Sequence, residues 1–336
     1  MRRCIALAAE GEGYVSPNPL VGAVVVHNNK VIGEGYHQQY GKPHAEVNAI
    51  ASVEHQELLK DSTLYVNLEP CSHFGKTPPC ADLIISKGIP KVIIGMTDPF
   101  PDVNGIGIQK LEEAGIEVIT DILRQECEHL NRRFVTSVIQ RRPYITLKWA
   151  ESVDGFAGSR ERAIRISNEA TRIHNHRLRH TEQAIVVGAN TILADNPQLN
   201  VREWPGTDPV RIIVDPKGKI EKPSAHHVFN GTQRTIYFGP KRNVNALPLE
   251  GIILEESKEV IPQLLQQIHL LGIHSLLIEG GPTLLNLFIA ANAWDECFVY
   301  RSPDHLHAGI PSPTLPAGKL TTGHIGNNQL IHIVKQ

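Results

Sequence analysis

His44-Ala45-Glu46, Pro70-Cys71 and Cys80 restrict the folding options of this chain more than any other residues. One imidazole and two thiols suit a catalytic zinc, because three protein ligands leave the fourth tetrahedral position open for water. The metal brings the pKa of that water to about 7, and a carboxylate near the histidine can shuttle protons without binding the metal. Donors this far apart in sequence meet only where separate elements begin at one point. A helix is expected over residues 44–50, after Pro43. In it His44 and Val47 share a face, while Glu46 points elsewhere by roughly 200°, at about 100° per residue. Residues 63–68 are a short β-rich run closed by Glu69-Pro70, and residues 81–87 read as a helix ending at Gly88. One ligand therefore comes from one helix start. The other two come from the next loop–helix junction, where the helix dipole favours thiolate over thiol.

A structural zinc site is the plainer alternative, with His73 or His37 as a fourth ligand. Such sites usually carry their cysteines in C-x₂₋₄-C pairs, which this chain lacks, and have no use for a carboxylate at Glu46. The catalytic reading fits the full set better. Zinc deaminases of nucleobases use this H-x-E plus P-C…C design, commonly with two residues between the cysteines. Here eight intervene, from Ser72 to Pro79. The segments HAEVNAI, LEPCSHFGKTPPC and PNPLVGAVVV resemble the bifunctional deaminase–reductase family of riboflavin biosynthesis. The insert SHFGKTPP separates that family from cytidine, guanine and tRNA-adenosine deaminases.

At 336 residues the chain is long for one core and comfortable for two. A formal charge of −2 carries no overall polyanion-binding signature, and no basic aromatic run supports a zinc module for structured nucleic acid. Five cysteines, two of them assigned to metal, fit a reducing compartment, with Cys4, Cys127 and Cys297 as small core or surface residues. No apolar run reaches the ~18–20 residues of a membrane span and no signal peptide is recognised. A cytoplasmic enzyme without membrane or nucleic-acid partners is expected. His174, His176 and His180 fall in a helical stretch with several arginines and read as a polar helix face.

Strands and helices alternate through the first segment, with strands at 21–26, 31–36, 63–68, 92–95 and 117–119. Continuous apolar strands and successive βα units imply an α/β fold whose sheet is covered on both faces. Residues 126–139 read as one helix, broken by Arg141-Arg142-Pro143. The domain boundary is placed there, giving domains 1–142 and 143–336. The second segment repeats the pattern, with strands at 144–148, 184–188, 210–215, 235–238 and 275–279. It has no G-x-G-x-x-G fingerprint, which argues against a standard Rossmann dinucleotide domain. Asn104-Gly105-Ile106-Gly107, in the first segment, reads as a turn.

The resemblance extends over nearly the whole chain. It implies an N-terminal cytidine-deaminase-like three-layer domain followed by a dihydrofolate-reductase-like domain. The implied reactions are zinc-dependent hydrolytic deamination of a ribosylated diamino-pyrimidinone phosphate, then NADPH-dependent reduction of its ribosyl chain to ribityl. Glu46 is the implied proton shuttle, beside zinc on His44, Cys71 and Cys80. Asn18, His37 and Lys76 match substrate positions of the family's deaminase. Taken alone they also read as a turn asparagine, a strand-end histidine and an exposed loop lysine. In the second domain Ala150, Thr191, Asp195, Gly281, Pro282, Thr283 and Leu284 match cofactor contacts. Arg179, Leu199, Arg202 and Glu279 match substrate contacts. Glu279-Gly280-Gly281 ends a buried strand where a helix begins, a junction whose amides can receive a phosphate. Lys148 and Glu279 are candidates for proton handling, or for a buried ion pair. Arg165 stands where the family often has tryptophan, and Pro216 where a small hydroxyl residue is frequent. Several residues usual before the first helix are also missing. Family membership further implies a homo-oligomer. The competing enzyme reading is a single-activity deaminase whose second domain only binds or dimerises.

Overall fold

Cys4, Leu7 and Ala8 recur at helical spacing and face inward from α1 (Arg2–Ala9). The chain then forms an antiparallel hairpin, β1 (Gly22–His27) and β2 (Lys30–Tyr36), through Asn28 and Asn29, both at positive φ. Gly22 is required where α1 crosses β1, since a Cβ there would lie 2.2 Å from the Cys4 carbonyl oxygen. The alternation continues through α2 (Ala45–Ala51), β3 (Thr63–Val66), α3 (Cys80–Ser86), β4 (Lys91–Ile94), α4 (Ile106–Glu113) and β5 (Glu117–Ile119). The five strands lie in the order β2-β1-β3-β4-β5, with β1 antiparallel to both neighbours and β3 to β5 parallel. Successive residues of β1 serve opposite faces: Val24 packs with Cys4 and Leu7 of α1, Val25 with Ala49, Ile84 and Leu111 of α2, α3 and α4. The unit thus has three layers.

This computed structural model describes residues 1–72, 79–100, 103–159, 164, 166–244 and 250–336, in two compact units, Met1–Arg141 and Arg142–Gln336. The single helix expected over 126–139 is two helices, α5 (Arg124–Leu130) and α6 (Arg132–Gln140), separated at Asn131. A tertiary demand outweighs the helical pattern at that point. The buried Asn131 amide accepts from the Leu20 N–H at 2.8 Å and donates to the Leu20 carbonyl at 3.0 Å. Asn67 grips the same segment, accepting from the Gly22 N–H at 2.7 Å and donating to the Leu20 carbonyl at 2.9 Å.

The second unit comprises β6 (Tyr144–Ser152), β7 (Phe156–Gly158), α7 (Glu169–Thr181), β8 (Ala184–Gly188), α8 (Ala189–Asp195), β9 (Val210–Val214), β10 (Thr235–Gly239) and α9 (Lys241–Val244). It continues with β11 (Glu250–Ile253), α10 (Val260–Leu270), β12 (Ser275–Ile278), α11 (Pro282–Ala290), β13 (Glu296–Ser302), β14 (Ile310–Pro311), β15 (Lys319–Ile325) and β16 (Asn328–Val334). Nine strands form one sheet, ordered β11-β10-β9-β8-β12-β6-β13-β16-β15. Its pairs are parallel from β11 to β13 and antiparallel beyond. Alternation along β8 feeds a core on each face, Ala184 and Val186 on one side and Ile185 and Val187 on the other. Among the described residues no helix is long and apolar enough to cross a membrane. Replacing the buried Asn131 by alanine leaves the part-buried Leu20 N–H without its acceptor. The expected loss is about 1–3 kcal/mol, checked by thermal and denaturant unfolding of the variant.

Candidate active sites

His44 is the N-cap of α2, with extended backbone at φ −71° and ψ 167°, rather than part of its first turn. That corrects the expected start of the helix by one residue and turns the imidazole toward the start of α3. There Cys80 is the first helical residue, and its backbone N–H donates to Cys71 Sγ at 3.3 Å. His44 Nδ1 lies 3.6 Å from Cys71 Sγ and 3.4 Å from Cys80 Sγ, and the three donor atoms fall within 4.8 Å of one another. A tetrahedral ion with Zn–S near 2.3 Å and Zn–N near 2.0–2.1 Å separates sulfur from nitrogen by about 3.5 Å, so the donor set fits zinc. The hydrogen bond with Cys80, followed by that with His44, pulls the Cys71 thiol down to about 4 against its burial. Cys80 is pushed up by the same hydrogen bond and by burial.

Glu46, in the first turn of α2, is 3% exposed. Its Oε2 has no hydrogen-bond partner in the protein, an orphaned acceptor that a ligand or water must satisfy. Burial, then the nearby Cys71, raises this carboxyl to about 7. A cavity of about 580 Å³ opens over these residues. Asn18 and His37 line it. His37 Nδ1 lies 3.1 Å from the Pro43 carbonyl, which can only accept, so Nδ1 carries the proton. Nε2 then accepts from Asn18 Nδ2 at 3.0 Å, leaving the Asn18 carbonyl oxygen as the acceptor for a ligand. Lys76 and Arg165 lie outside the described residues.

Sequence reasoning missed part of the wall. Lys42, Asp98 and Phe100 also line the cavity. The loop bearing Asp98 and Phe100 is held by Glu69, whose buried carboxylate accepts from the backbone N–H groups of Asp98, Gly105, Gly107 and Ile108 at 2.9–3.3 Å. The segment read as a simple turn, Asn104–Gly107, is half of that grip. Gly105 has φ 78°, and a Cβ on Gly107 would lie 2.1 Å from the Pro70 carbonyl oxygen. The available signal was the position of Glu69, directly before Pro70-Cys71.

In the second unit a cleft of about 580 Å³ lies at the carboxyl ends of β6, β8 and β12. Lys148, Ala150, Thr191, Asp195, Glu279 and Gly281 all line it, as does Pro282. Gly281 caps α11, and its N–H donates to Thr191 Oγ1 at 3.1 Å. A Cβ on Gly281 would meet nothing closer than that oxygen, at 3.7 Å, so space remains over the helix start for a phosphate. Thr283 is exposed, whereas the Leu284 side chain is in the core, which leaves only its backbone for a ligand. Leu199 is likewise buried, at φ 56°. Arg202 is half exposed, and Arg179 is chelated by Glu279 at 2.7 and 3.0 Å. Glu279 also accepts from Asn175 at 3.1 Å, with Lys148 Nζ at 3.7 Å. Burial opposes ionisation of Glu279, yet Arg179 and then Lys148 bring its carboxyl down to about 2. Burial lowers Lys148, with Glu279 opposing. The polar face expected for His174, His176 and His180 is not solvated: His176 and His180 are buried, and His174 Nδ1 bonds the Tyr300 hydroxyl at 2.5 Å.

Residues 1–96 match the cytidine and deoxycytidylate deaminase zinc-binding region, and residues 143–316 match the RibD C-terminal domain. The riboflavin biosynthesis protein RibD of Aquifex aeolicus is 40% identical over 92% of this chain and 88% of its own length. That of Bacillus amyloliquefaciens is 42% identical over 95% and 87%. The crystal structure of a diaminohydroxyphosphoribosylaminopyrimidine deaminase/5-amino-6-(5-phosphoribosylamino)uracil reductase from Thermotoga maritima superposes with a TM-score of 0.90 at 36% identity, over 100% of this chain and 97% of that one. This chain belongs to the RibD family. Its fold is the cytidine-deaminase-like domain followed by the dihydrofolate-reductase-like domain that the resemblance implied. Zinc and NADPH are the cofactors of the two RibD domains.

The charge cluster of this cleft should be visible in acid. The folded Glu279 carboxyl titrates near 2, below its ordinary value of 4.5. Its contribution to stability is therefore complete above about 4.5 and lost as pH falls toward 2. Glu279→Gln should flatten that part of the acid-unfolding curve of the second unit, followed by near-UV circular dichroism.

Proposed function

We propose that residues 1–142 deaminate diaminohydroxyphosphoribosylaminopyrimidine by hydrolysis, and that residues 143–336 reduce the ribosyl side chain of the product to ribityl with NADPH. The observation that carries the first step is the buried Glu46 with its unbonded Oε2, two residues from a His44–Cys71–Cys80 donor set that fits zinc.

His44, Cys71 and Cys80 would hold zinc, which would lower the pKa of water at the site to about 7 and so supply a nucleophile. Glu46, a buried carboxyl raised above its ordinary value, takes a proton at Oε2 from the attacking water and delivers it to the ring nitrogen beside the amine-bearing carbon. It then carries a second proton to the departing ammonia. Water is consumed, and the amine carbon becomes a carbonyl. Asn18, oriented by His37, accepts from an exocyclic amine of the base. Lys42 is the cation among the described residues lining the cavity and suits the substrate phosphate, a role the family resemblance gives to Lys76.

In the second cleft bound NADPH would supply the hydride. The start of α11 would hold the cofactor's phosphate through the Thr283 backbone N–H, since Pro282 has none and that of Gly281 is donated to Thr191, with Ala150, Thr191 and Asp195 around it. The ribosyl ring opens at the carbon that gains hydride, so its ring oxygen needs a proton. Lys148 provides it, because burial lowers its hold on that proton. Glu279 keeps its charge and orients Lys148 and Arg179. Arg202 meets the phosphate. A cytoplasmic setting, supported by five cysteines without a disulfide, and self-association are part of the same proposal. Sedimentation tests the latter.

Glu46→Gln should retain one zinc per chain and lose deamination by at least about a hundredfold, the scale of general acid–base catalysis. Loss of the metal in this variant would make Glu46 a ligand instead. Purified protein given the deaminated intermediate should consume NADPH, read as falling cofactor absorbance. No consumption would favour a single-activity deaminase.

A further inference from the structure

The loop between α8 and β9, which carries Leu199 and Arg202, hangs on one face of α7. The backbone N–H of Arg202 donates to His176 Nδ1 at 3.2 Å, and that of Thr207 to His180 Nδ1 at 3.0 Å. Between them Arg179 donates to the Asn200 carbonyl at 3.0 Å. Positions 176, 179 and 180 are three and four residues apart and share a helix face. A backbone N–H can only donate, so each Nδ1 must offer a lone pair and each ring is the neutral tautomer with its proton on Nε2. The backbone also presses onto the second ring: a Cβ on Gly206 would lie 2.4 Å from His180 Nδ1. Arg172 pairs with Glu203 at 3.3 Å, and Arg177 lies over the Trp204 ring at 5.7 Å. The Arg202 guanidinium, 51% exposed, bonds Asn200 Oδ1 at 3.0 Å and still faces solvent.

We propose that His176 and His180 are positioning residues of the reductase, neutral acceptors that fix the backbone of loop 199–207 and thereby present Arg202 to the phosphorylated substrate. The inference rests on the functional reading above and adds the part played by α7. Burial, then Arg179 and Arg202, hold His176 down to about 4 against Glu203 and Glu279, so the ring remains an acceptor at neutral pH. Neither residue lines the cleft. Their effect passes through the loop.

The test is steady-state NADPH consumption by the intact zinc-loaded chain with the deaminated intermediate. His176→Leu removes the acceptor and should raise KM for that substrate about tenfold, the scale of one lost hydrogen bond, with KM for NADPH unchanged. His176→Asn, whose Oδ1 falls near the place of Nδ1, should restore KM. Gly206→Ala pushes the loop off His180 and should reproduce the rise. In an Arg202→Ala background, His176→Leu should add nothing. Deamination by the same preparations shows that the first unit is folded, and circular dichroism that the second is. An unchanged KM in His176→Leu, no rescue by asparagine, or a full additional rise without Arg202 overturns the proposal. If His176→Leu does not fold, Gly206→Ala decides, and an unchanged KM there overturns it. Wild-type protein that consumes no NADPH overturns the functional reading and this inference with it.

Discussion

His44 Nδ1, Cys71 Sγ and Cys80 Sγ, all within 4.8 Å of one another, make the contact around which the first unit is arranged. Each donor sits where a helix starts or a strand has just ended, so the contact requires β3, α2 and α3 to be placed together. Helix starts offer backbone N–H groups and the positive end of the dipole, and both stabilise thiolate. The same junctions set the neighbours. Glu46 follows His44 into α2 and is buried there, while Glu69 precedes Cys71 and gathers four amides from the opposite loop. A carboxylate left with an unbonded oxygen and a carboxylate that accepts four backbone N–H groups thus flank one donor set.

The second unit solves a different electrostatic problem. Three charged groups, Lys148, Arg179 and Glu279, meet in a largely buried cluster. Desolvation of such a cluster is costly and is offset only by close geometry and further hydrogen bonds. Arg179 supplies both, chelating Glu279 while reaching the Asn200 carbonyl. The result is a carboxylate that stays ionised and a lysine left beside the cleft. That cluster lies at the carboxyl ends of parallel strands, next to the open start of α11.

Much of this was legible in the sequence where one local pattern implied one local structure. The apolar runs at β1, β8, β9, β10 and β12 read as buried strands and are so. The H-x-E and P-C…C segments pointed to the His44, Cys71 and Cys80 cluster that the fold gathers, because few other uses exist for that set. What could not be read depended on contacts between distant segments. Asn131 divides a helix because Leu20 needs its amide, a demand invisible at Asn131 itself. The closing strand β15 escaped because it is mostly exposed and carries no apolar run. His176 and His180 resembled a solvated face because arginines surround them, yet a loop far along the chain covers both.

Glu69 has an implication for how this pocket can diversify. Its neighbours in sequence are Pro70, pressed by Gly107, and Cys71, a donor to the metal. The backbone of the facing wall is therefore geared to the metal centre, and moving one drags the other. Descendants that come to accept bases of other shapes would have to change side chains such as Asp98 and Phe100 while keeping the main-chain path. Substrate range in this lineage should evolve by swapping furniture rather than by moving walls.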